Sequence, residues 1–400
     1  MALTPVDDAK TAILNGVRPT PAEKVGLAEA GGRILARDLK ANRDQPPFAA
    51  SAMDGYAVIG TDVAKAPARL KVIGEAPAGQ AFKGRVKPGQ TVRIFTGAPL
   101  PAGADTVVIQ ENCQADGDQV DVLEAAKTGQ FVRAKGLDFQ KGEALLKAGQ
   151  HLGARELGLA AAMNHATVPV HRRPRVALMP TGDELVTPGT KPRADQIVSS
   201  NNYALAALVR RFGGEPVDLG IVPDDKRALA RAIRKAADCD VLVTLGGASV
   251  GDHDLVQDAL KAAGLKLTFY KIAMRPGKPL MFGKLGRMRV LGLPGNPVSS
   301  IVCARLFLKP LLDAYLGLDP ADLPLAASLA CPLPENDQRQ DYLRATLTTG
   351  PDGSLVADPF NRQDSSMLRR LTESDCLVIR PPFAPAAKAG EAVKLIKLDF

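Results

Sequence analysis

Residues 241–254 read VLVTLGGASVGDHD and carry the clearest architectural signal in the chain. The first five, Val241–Leu245, form a short apolar run with the length and composition of a buried strand. A glycine-rich loop follows, and then an amphipathic segment that predicts a helix over Asp254–Ala263, ending at Gly264. A strand that passes through such a loop into a helix is the repeating unit of an α/β domain.

The same alternation of strands and helices continues on both sides of this stretch. The further predicted strands are Arg175–Met179, Val217–Val222, Lys266–Ile272 and Arg289–Leu293, and the further helices are Asn201–Phe212, Lys226–Ala237 and Pro297–Tyr315. This order predicts a doubly wound domain with a mainly parallel sheet over residues 171–320.

The flanking segments have a different texture. The first forty residues read as helical, with Pro5 and Pro21 near helix starts and Leu27, Ile34 and Leu35 on an apolar face, and a further helix is predicted near Ala154–Met163. We therefore expect 1–45 and 142–170 to form one helical N-terminal domain. Short β-rich runs between Gly, Pro and Asp turns predict an inserted β domain over 46–141 and a C-terminal β domain over 321–400.

Composition narrows the class of protein. The chain is 46% hydrophobic and 24% charged, as a globular protein should be, and its net charge is +8. No run of five like charges occurs, so nucleic acid is not the expected partner. The five cysteines contain no CxxC pair, which indicates neither a disulfide framework nor a zinc site. Without an apolar membrane span or a signal peptide, a cytoplasmic protein is expected.

Polar or Gly/Pro-rich loops follow the predicted strands of the α/β domain. In doubly wound sheets, ligands bind beyond the carboxyl ends of the strands. The loops are PTGDE at 180–184, PDD at 223–225, GGASVGDHD at 246–254, RPGKP at 275–279 and PGNP at 294–297. Five such loops on one edge of one sheet predict a ligand site there.

Glycines and cations in these loops suit a phosphate or an oxyanion. Gly246, Gly247 and Gly251 would let backbone N–H groups approach phosphate oxygens just before a helix start, although a tight strand–helix turn would also explain them. Arg275 and Lys278 lie on a proline-stiffened loop, where fixed cations suit an oxyanion, although solvated charges on an exposed turn are the alternative.

Carboxylates form the second group at this edge. They are Asp183, Glu184, Asp224, Asp252 and Asp254. Carboxylates beside a phosphate site make chemical sense when Mg²⁺ bridges them to substrate oxygens. Helix capping alone would explain an Asp at 224, 225 or 254, whereas Glu184 has no such explanation. Glu184 is therefore the strongest candidate for a functional carboxylate.

Other chemistries find no support in the sequence. The four histidines have no metal-ligand spacing. The chain contains no GxSxG elbow, no Walker-A loop and no GxGxxG fingerprint. A serine hydrolase, a P-loop NTPase and a dinucleotide oxidoreductase are therefore disfavoured.

Four further motifs, read in order with the loops above, resemble one known family. They are SAMDGYA at 51–57, FTGAP at 95–99, GADTVV at 103–108 and GLD at 136–138. Together these blocks resemble the MoeA family, to which the gephyrin E domain is related, over essentially the whole chain. The central domain by itself is similar to the MogA and MoaB proteins.

The resemblance implies a four-domain subunit, with a C-terminal domain like a β-barrel, that forms a homodimer. Its active site would lie between the central α/β domain of one subunit and the inserted β domain of the other. That arrangement would explain why Asp54, Thr96 and Asp138 lie in family motifs far from the sheet edge in sequence. A turn at Asp54-Gly55 and a strand end at Thr96-Gly97 are the simpler structural explanations.

The implied reaction converts adenylylated molybdopterin and molybdate into molybdenum cofactor and AMP, with Mg²⁺. The implied catalytic residues are Asp54, Thr96, Asp138, Glu184, Asp224, Asp254, Lys271 and Arg275, of which Glu184, Asp224 and Asp254 would bind the metal. The implied substrate-binding residues are Gly246, Gly247, Ser249, Gly251, Lys278, Pro294, Gly295, Asn296, Pro297, Arg344 and Ser365. Asp364 precedes Ser365 where the family pattern has Gly, which leaves the local turn and the role of Ser365 open.

Two other functions stay open at this stage. A molybdopterin adenylyltransferase of MogA or MoaB type, or a CinA-type pyrophosphatase, would share the central domain, but the flanking β segments argue against both. A scaffold of gephyrin type would need no chemistry, yet the acidic and basic site residues are present and no adenylylating domain is fused to the chain. The expected partners are a MogA-type protein and apo-molybdoenzymes; molybdate and tungstate are not distinguished.

Overall fold

The computed structural model describes residues 3–246, 255–321 and 323–400. The chain divides into two compact units. The first contains the N-terminal segment up to Glu23 and His171–Phe400, and the second contains Lys24–Val170.

A six-stranded sheet forms the centre of the first unit. Its strands lie in the order Glu215–Asp218, Arg175–Pro180, Val241–Leu245, Met288–Leu293, Met281–Leu285 and Lys266–Phe269. The first four are parallel, and Met281–Leu285 is antiparallel to both of its neighbours. The predicted α/β fold with a mainly parallel sheet is therefore confirmed.

Helices cover both faces of this sheet, as expected for a doubly wound domain. The helices of the first unit are Val6–Leu14, Asn201–Arg211, Lys226–Lys235, Leu255–Ala262, Pro297–Cys303, Lys309–Tyr315 and Leu368–Thr372, with a π-helical turn at Ala304–Leu308. Two separate apolar cores result, one on each face. All five residues of Val241–Leu245 are buried, because a parallel strand between two helical layers has no solvent-facing side.

Sequence patterns missed the strand Met281–Leu285. Gly283 interrupts its β-rich pattern, and glycine inside a strand weakens the local signal. The structure explains this residue, since a Cβ atom at Gly283 would lie 2.7 Å from the backbone oxygen of Lys266 on the adjacent strand.

The helical reading of the first forty residues is wrong beyond the first helix. Between residues 3 and 40, Val6–Leu14 is the one α-helix, and its apolar residues Val6, Ala9 and Ile13 pack into the core of the central domain. The chain after it forms the strands Ala22–Gly26 and Leu39–Lys40 instead. Frequent Pro and Gly residues prevent a second helix.

The C-terminal sheet of the first unit closes on itself. Its strands are Leu325–Leu329, Gln340–Thr349, Leu355–Pro359, Cys376–Arg380 and Ala392–Lys397. Pairing between Gln340–Thr349 and Cys376–Arg380 completes the ring, so the predicted barrel-like domain is confirmed. The short strand Met274–Arg275 adds to this sheet beside Gln340–Thr349, which ties the RPGKP loop to the barrel. A separate two-stranded sheet pairs Leu185–Val186 with Ile197–Val198.

The second unit is mostly β structure. Its main sheet has the order Thr106–Ile109, Gly55–Val58, Gln90–Ile94, Ala68–Ala76, Gln119–Val122 and Cys113–Asp116. Short pairs join Ala50–Ser51 to Val132–Arg133 and Leu39–Lys40 to Ala144–Leu146. The remaining elements are the strand Thr167–His171, the helix Ala154–Ala162 and 3₁₀ turns at Leu27–Glu29, Gly60–Val63 and Gln110–Asn112.

Within the three described ranges, no helix combines the length and the apolar character needed to cross a bilayer.

We predict that Gly55→Ala destabilises the inserted sheet by about 3 kcal/mol, because overpacking of this severity forces the backbone to move. A Cβ atom at Gly55 would lie 1.9 Å from the backbone oxygen of Val108 on the adjacent strand. The free energy of unfolding from urea denaturation is the measurement. Gly158→Ala is the matched control, since it lies in a helix with no atom within 4 Å and should gain up to about 1 kcal/mol. Equal stability of the two variants would contradict the prediction.

Candidate active site

A cavity of about 410 Å³ opens at the carboxyl edge of the central sheet. Three strand ends form its floor through Thr181, Gly246 and Gly295, and the segment Ser199–Asn201 and Ser366 form its walls. This is the edge at which the five sequence loops were expected to converge.

Two glycines at this edge have conformations that side chains rarely adopt. Gly246 has φ +94°, and a Cβ atom there would lie 2.9 Å from the backbone oxygen of Thr181. Gly182 has φ +140°, and a Cβ atom there would lie 2.3 Å from the carboxylate of Glu184. Glycine therefore allows the loops to pack closely around the cavity. The predicted site residues Gly247, Ser249, Gly251 and Asp254, together with Asp252, lie outside the described residues.

The PGNP loop is held from three sides. Asn201 Nδ2 donates to the Gly295 backbone oxygen at 2.7 Å, and Ser300 Oγ donates to the Pro294 backbone oxygen. Asn296 Nδ2 donates to Ser365 Oγ at 2.8 Å. Pro297 occupies the first turn of the next helix, where its missing N–H has no cost.

Asn201 was missed by the sequence reasoning. It follows two serines and precedes a second asparagine, in the run SSNN at 199–202 directly before a helix. Polar residues at a helix start are ordinarily explained by capping, and this hid the signal. Yet Ser200, the residue before the helix, makes no side-chain cap hydrogen bond, and Ser199–Asn201 line the cavity.

Two acidic loops meet at the same edge. Asp183 Oδ1 accepts a hydrogen bond from the Asp224 backbone N–H at 3.1 Å. Thr181 forms an isolated parallel β-bridge with Val222. This brings the loops that carry Glu184 and Asp224 side by side, and both residues are exposed. Asp225 is the helix cap, since its Oδ1 accepts from the Ala228 N–H at 2.8 Å. Capping therefore no longer accounts for Asp224.

No group of three His, Cys, Asp or Glu residues arranged to hold a metal ion is found in the described part of the chain. Glu184 and Asp224 are two of the three predicted metal ligands, and Asp254 is the third. Mg²⁺ in proteins often takes one or two carboxylates and completes its shell with water and substrate oxygens. The exposed oxygen donors of Glu184 and Asp224 suit that ion by type.

The cations in and beside the RPGKP loop differ in whether a carboxylate lies next to them. Arg275 Nε lies 3.0 and 3.1 Å from the two carboxylate oxygens of Asp341, and Asp337 lies 3.8 Å from its guanidinium. Its charge is thus already compensated. The Ile272 N–H donates to the Lys278 backbone oxygen at 3.0 Å, which closes the loop. Lys271 and Lys278 lie at its base, and neither side chain makes an ion pair with another described residue.

Arg344 lies beneath the loop that carries Ser365. It is 1% exposed, and its guanidinium donates to the backbone oxygens of Asp364 at 2.9 Å and Met367 at 3.2 Å. Burial lowers the pKa of this guanidinium. The structure therefore does not place Arg344 at the cavity surface, and its effect on a substrate through the loop stays a prediction.

Asp364 forms the turn at Ser365 without the glycine of the family pattern. Its Oδ1 accepts from the Ser366 hydroxyl at 2.6 Å and backbone N–H at 2.8 Å. These bonds lower the pKa of the Asp364 carboxyl. Asp364 is not among the described non-glycine residues with positive φ. The loop can therefore present Ser365 to Asn296 with an ordinary residue at 364.

Three predicted site residues, Asp54, Thr96 and Asp138, belong to the inserted domain. Asp54 Oδ1 accepts from the Thr96 backbone N–H at 2.7 Å and from its hydroxyl at 2.8 Å. These two donors hold the pKa of Asp54 below its usual range, which favours the ionised carboxylate, and the residue is half-buried. Asp138 is exposed, and its backbone N–H donates to the Gln45 backbone oxygen. The structure thus joins Asp54 to Thr96, and no hydrogen bond joins Asp138 to either.

Three family models cover the chain in succession. The MoeA N-terminal region (domain I and II) matches residues 4–164, the probable molybdopterin binding domain matches 177–314, and the MoeA C-terminal region (domain IV) matches 326–398. The cavity edge and its loops through residue 297 thus fall within the molybdopterin-binding match.

Relatives match over nearly the whole length. The molybdopterin molybdenumtransferase of Nostoc sp. is 39% identical, covering 94% of this chain and 89% of that protein. That of Haemophilus influenzae is 33% identical, covering 98% and 97%. Among solved structures, the molybdopterin biosynthesis MoeA protein of Pyrococcus horikoshii has a TM-score of 0.87 at 31% identity and covers all of both chains.

Fold and site together define a multidomain α/β protein whose central domain is of the molybdopterin-binding class. The family-model matches on either side of the central domain define the family more closely. The chain belongs to the MoeA family, and the family predicted from the sequence motifs is confirmed.

We predict that Thr96→Val raises the pKa of Asp54 without restoring its usual value. The hydroxyl donor is lost, while the backbone N–H, which lowers the pKa most, remains. Carbon-13 NMR titration of the carboxyl groups measures the change. Asp352, whose pKa is lowered by Ser354, is the internal control and should titrate as before. An unchanged Asp54 titration would show that the Thr96 hydroxyl bond does not form.

We predict that Arg344→Met lowers the free energy of unfolding by about 3 kcal/mol, because buried carbonyls lose their charged donor. Hydrogen exchange in residues 363–367 should accelerate with it. Arg362→Met is the control, since Arg362 is exposed in the same loop and its change should cost less than about 0.5 kcal/mol. Equal losses for the two variants would refute the positioning role of Arg344.

Proposed function

We propose that this protein transfers molybdenum from molybdate to adenylylated molybdopterin and releases AMP, with Mg²⁺ as cofactor. One observation carries the proposal. The open cavity at the carboxyl edge of the central sheet lies among the PTGDE and PGNP loops, inside the molybdopterin-binding match.

The coarser part of this function follows from the family. The curated relatives are named molybdopterin molybdenumtransferases, so the predictions of a transferase and of molybdenum cofactor biosynthesis are confirmed at that level. The adenylylated form of the substrate, the release of AMP and the metal are the finer proposal.

Substrate binding is assigned to the cavity. Gly246 keeps the floor open, because any side chain there would meet the Thr181 backbone. Backbone N–H groups of the glycine-rich loop that begins at Gly246 would bind the phosphate of molybdopterin. The PGNP loop, fixed by Asn201 and Ser300, would define the opposite wall.

Glu184 and Asp224 would hold Mg²⁺, with Asp254 as the third predicted ligand. Their loops lie side by side at the sheet edge, and carboxylate oxygens are the donors this ion prefers. When bound, Mg²⁺ supplies positive charge to phosphate oxygens. The Asp183 carboxylate fixes the Asp224 loop through its backbone N–H, which orients the acidic pair before substrate arrives.

Lys271 and Lys278 are the preferred residues for molybdate. Both are cations without an ion-pair partner among the described residues, whereas the charge of Arg275 is offset by Asp341. Arg275 would act by holding the loop against the barrel strand, through its pair with Asp341 and the backbone pairing beside it. Molybdate is a dianion, so two lysines at the base of one loop match its charge.

The remaining proposed roles concern cleavage of the phosphoanhydride bond that joins AMP to the molybdopterin phosphate. An oxygen of water or molybdate would attack the anhydride, so that one P–O bond forms as the bridging P–O bond breaks and AMP is released. Lys271 and Lys278 would stabilise the negative charge that develops. The ionised Asp54 and Asp138 would act from the inserted domain of a second subunit in a homodimer. A MogA-type protein would supply the substrate, and apo-molybdoenzymes would accept the product, in the cytoplasm.

The decisive experiment measures AMP release from adenylylated molybdopterin by the purified protein, with molybdate and Mg²⁺. We expect molybdate-dependent release and a product that activates an apo-molybdoenzyme. Glu184→Ala should reduce kcat by about a hundredfold or more if this carboxylate positions the metal, while Glu335→Ala, outside the cavity lining, should not. Full turnover in Glu184→Ala would refute the acidic assignment.

Two outcomes would overturn the proposal as a whole. Consumption of ATP with unadenylylated molybdopterin would instead favour an adenylyltransferase. Failure to release AMP from substrate shown to bind would favour a scaffold.

A further inference from the structure

A second cavity lies away from the sheet edge, between two helices on one face of the central domain. It occupies about 480 Å³ between Lys226–Lys235 and Leu255–Ala262. Five of its lining residues are apolar: Ala230, Ile233, Ala259, Ala262 and Ala263. Small side chains on both helices leave an apolar groove open at the surface.

Cations border this groove. The helix Lys226–Lys235 reads KRALARAIRK and contains five basic residues and no acidic one. Lys226 and Arg234 line the ends of the groove, and Arg227, Arg231 and Lys235 form the adjacent row at a spacing of four residues. Asp258 is the one carboxylate among the described residues that line the groove.

The cationic row is not explained by the structure of the domain itself. All five basic residues are exposed, and none makes a side-chain hydrogen bond or ion pair with another described residue. Like charges four residues apart destabilise a helix, and Lys226 and Arg227 lie in the first turn, where a cation opposes the helix dipole. Only Arg234 and Lys235, in the last turn, favour the helix.

We propose that this groove is a docking site for an acidic amphipathic helix of a partner protein. Alanine and leucine side chains of that helix would fill the apolar floor between Ala230 and Ala259. Glutamates at a spacing of four residues would pair with Arg227, Arg231 and Lys235. Charge complementarity of this kind sets partner choice and association rate. The proposal is independent of the active-site assignment, because it uses none of those residues.

The apolar floor favours protein over nucleic acid. A polyanion such as DNA binds through phosphates and needs no apolar groove beside the cations. The alternating apolar and cationic rows instead match the two faces of an amphipathic helix.

The test uses the full-length protein and a fluorescent helical peptide with glutamate at every fourth position beside an alanine–leucine stripe. Fluorescence anisotropy should show binding that weakens with salt. The double variant R227E/R231E should weaken binding by about tenfold or more. It should unfold at the same or a higher temperature, since an acid in the first turn suits the helix dipole. K65E/K83E replaces two exposed lysines of the inserted domain that have no ion-pair partner among the described residues. It changes the net charge equally and should keep the wild-type affinity.

A second variant tests the apolar floor without a change of charge. Ala262→Trp would fill the groove from its exposed rim, and we expect it to weaken peptide binding while leaving the far-ultraviolet circular dichroism unchanged. A scrambled peptide, with its glutamates spread over all faces, should bind more weakly than the patterned one.

Four results would overturn the proposal. They are absence of peptide binding at low salt, equal losses in R227E/R231E and K65E/K83E, equal affinity for duplex DNA, and a change in oligomeric state on Ala262→Trp. The last would mean that a second copy of this chain occupies the groove.

Discussion

Parallel pairing of the four central strands is the constraint on which the site depends. Because Glu215–Asp218, Arg175–Pro180, Val241–Leu245 and Met288–Leu293 run in one direction, their carboxyl ends fall on one edge. Helices on both faces bury these strands and fix that direction. The loops at 180–184, 223–225, 246 and 294–297 are thereby brought together, although more than a hundred residues separate the first from the last.

Hydrogen bonds then turn this edge into a shaped cavity. Asp183 holds the Asp224 loop, Asn201 holds Gly295, and Asn296 of the central domain donates to Ser365 of the C-terminal domain. A common feature is that these side chains bind backbone groups or a neighbouring loop and thereby fix the loops around the cavity. Preorganisation of this kind lets charges act on a substrate without reorganisation during the reaction.

Charge compensation separates the cations that can act on an oxyanion from those that hold structure. Arg275 and Arg344 are both site residues implied by the family resemblance. The charge of Arg275 is offset by Asp341, and Arg344 is buried below the surface. The sequence could list these arginines as candidates, but it carries no information on their partners, which lie 66 residues away for Arg275 and about 20 away for Arg344. Conversely, Asn201 was missed as a site residue, because a polar residue at a helix start is ordinarily explained by capping.

The sequence by itself determined the family and the strand–helix alternation of the central domain, since these rest on local apolar periodicity and on motifs such as SAMDGYA. Strand bounds were less accurate, since the strand predicted at Val217–Val222 lies at Glu215–Asp218 and the one predicted at Lys266–Ile272 ends at Phe269. It failed for the segment after Leu14, where Pro and Gly break the helical pattern, and for Met281–Leu285, whose glycine is required by a neighbouring strand. Tertiary structure alone decided which aspartate caps a helix, which arginine is neutralised and where a turn can omit glycine. Those outcomes depend on contacts between residues distant in sequence, which no local pattern encodes.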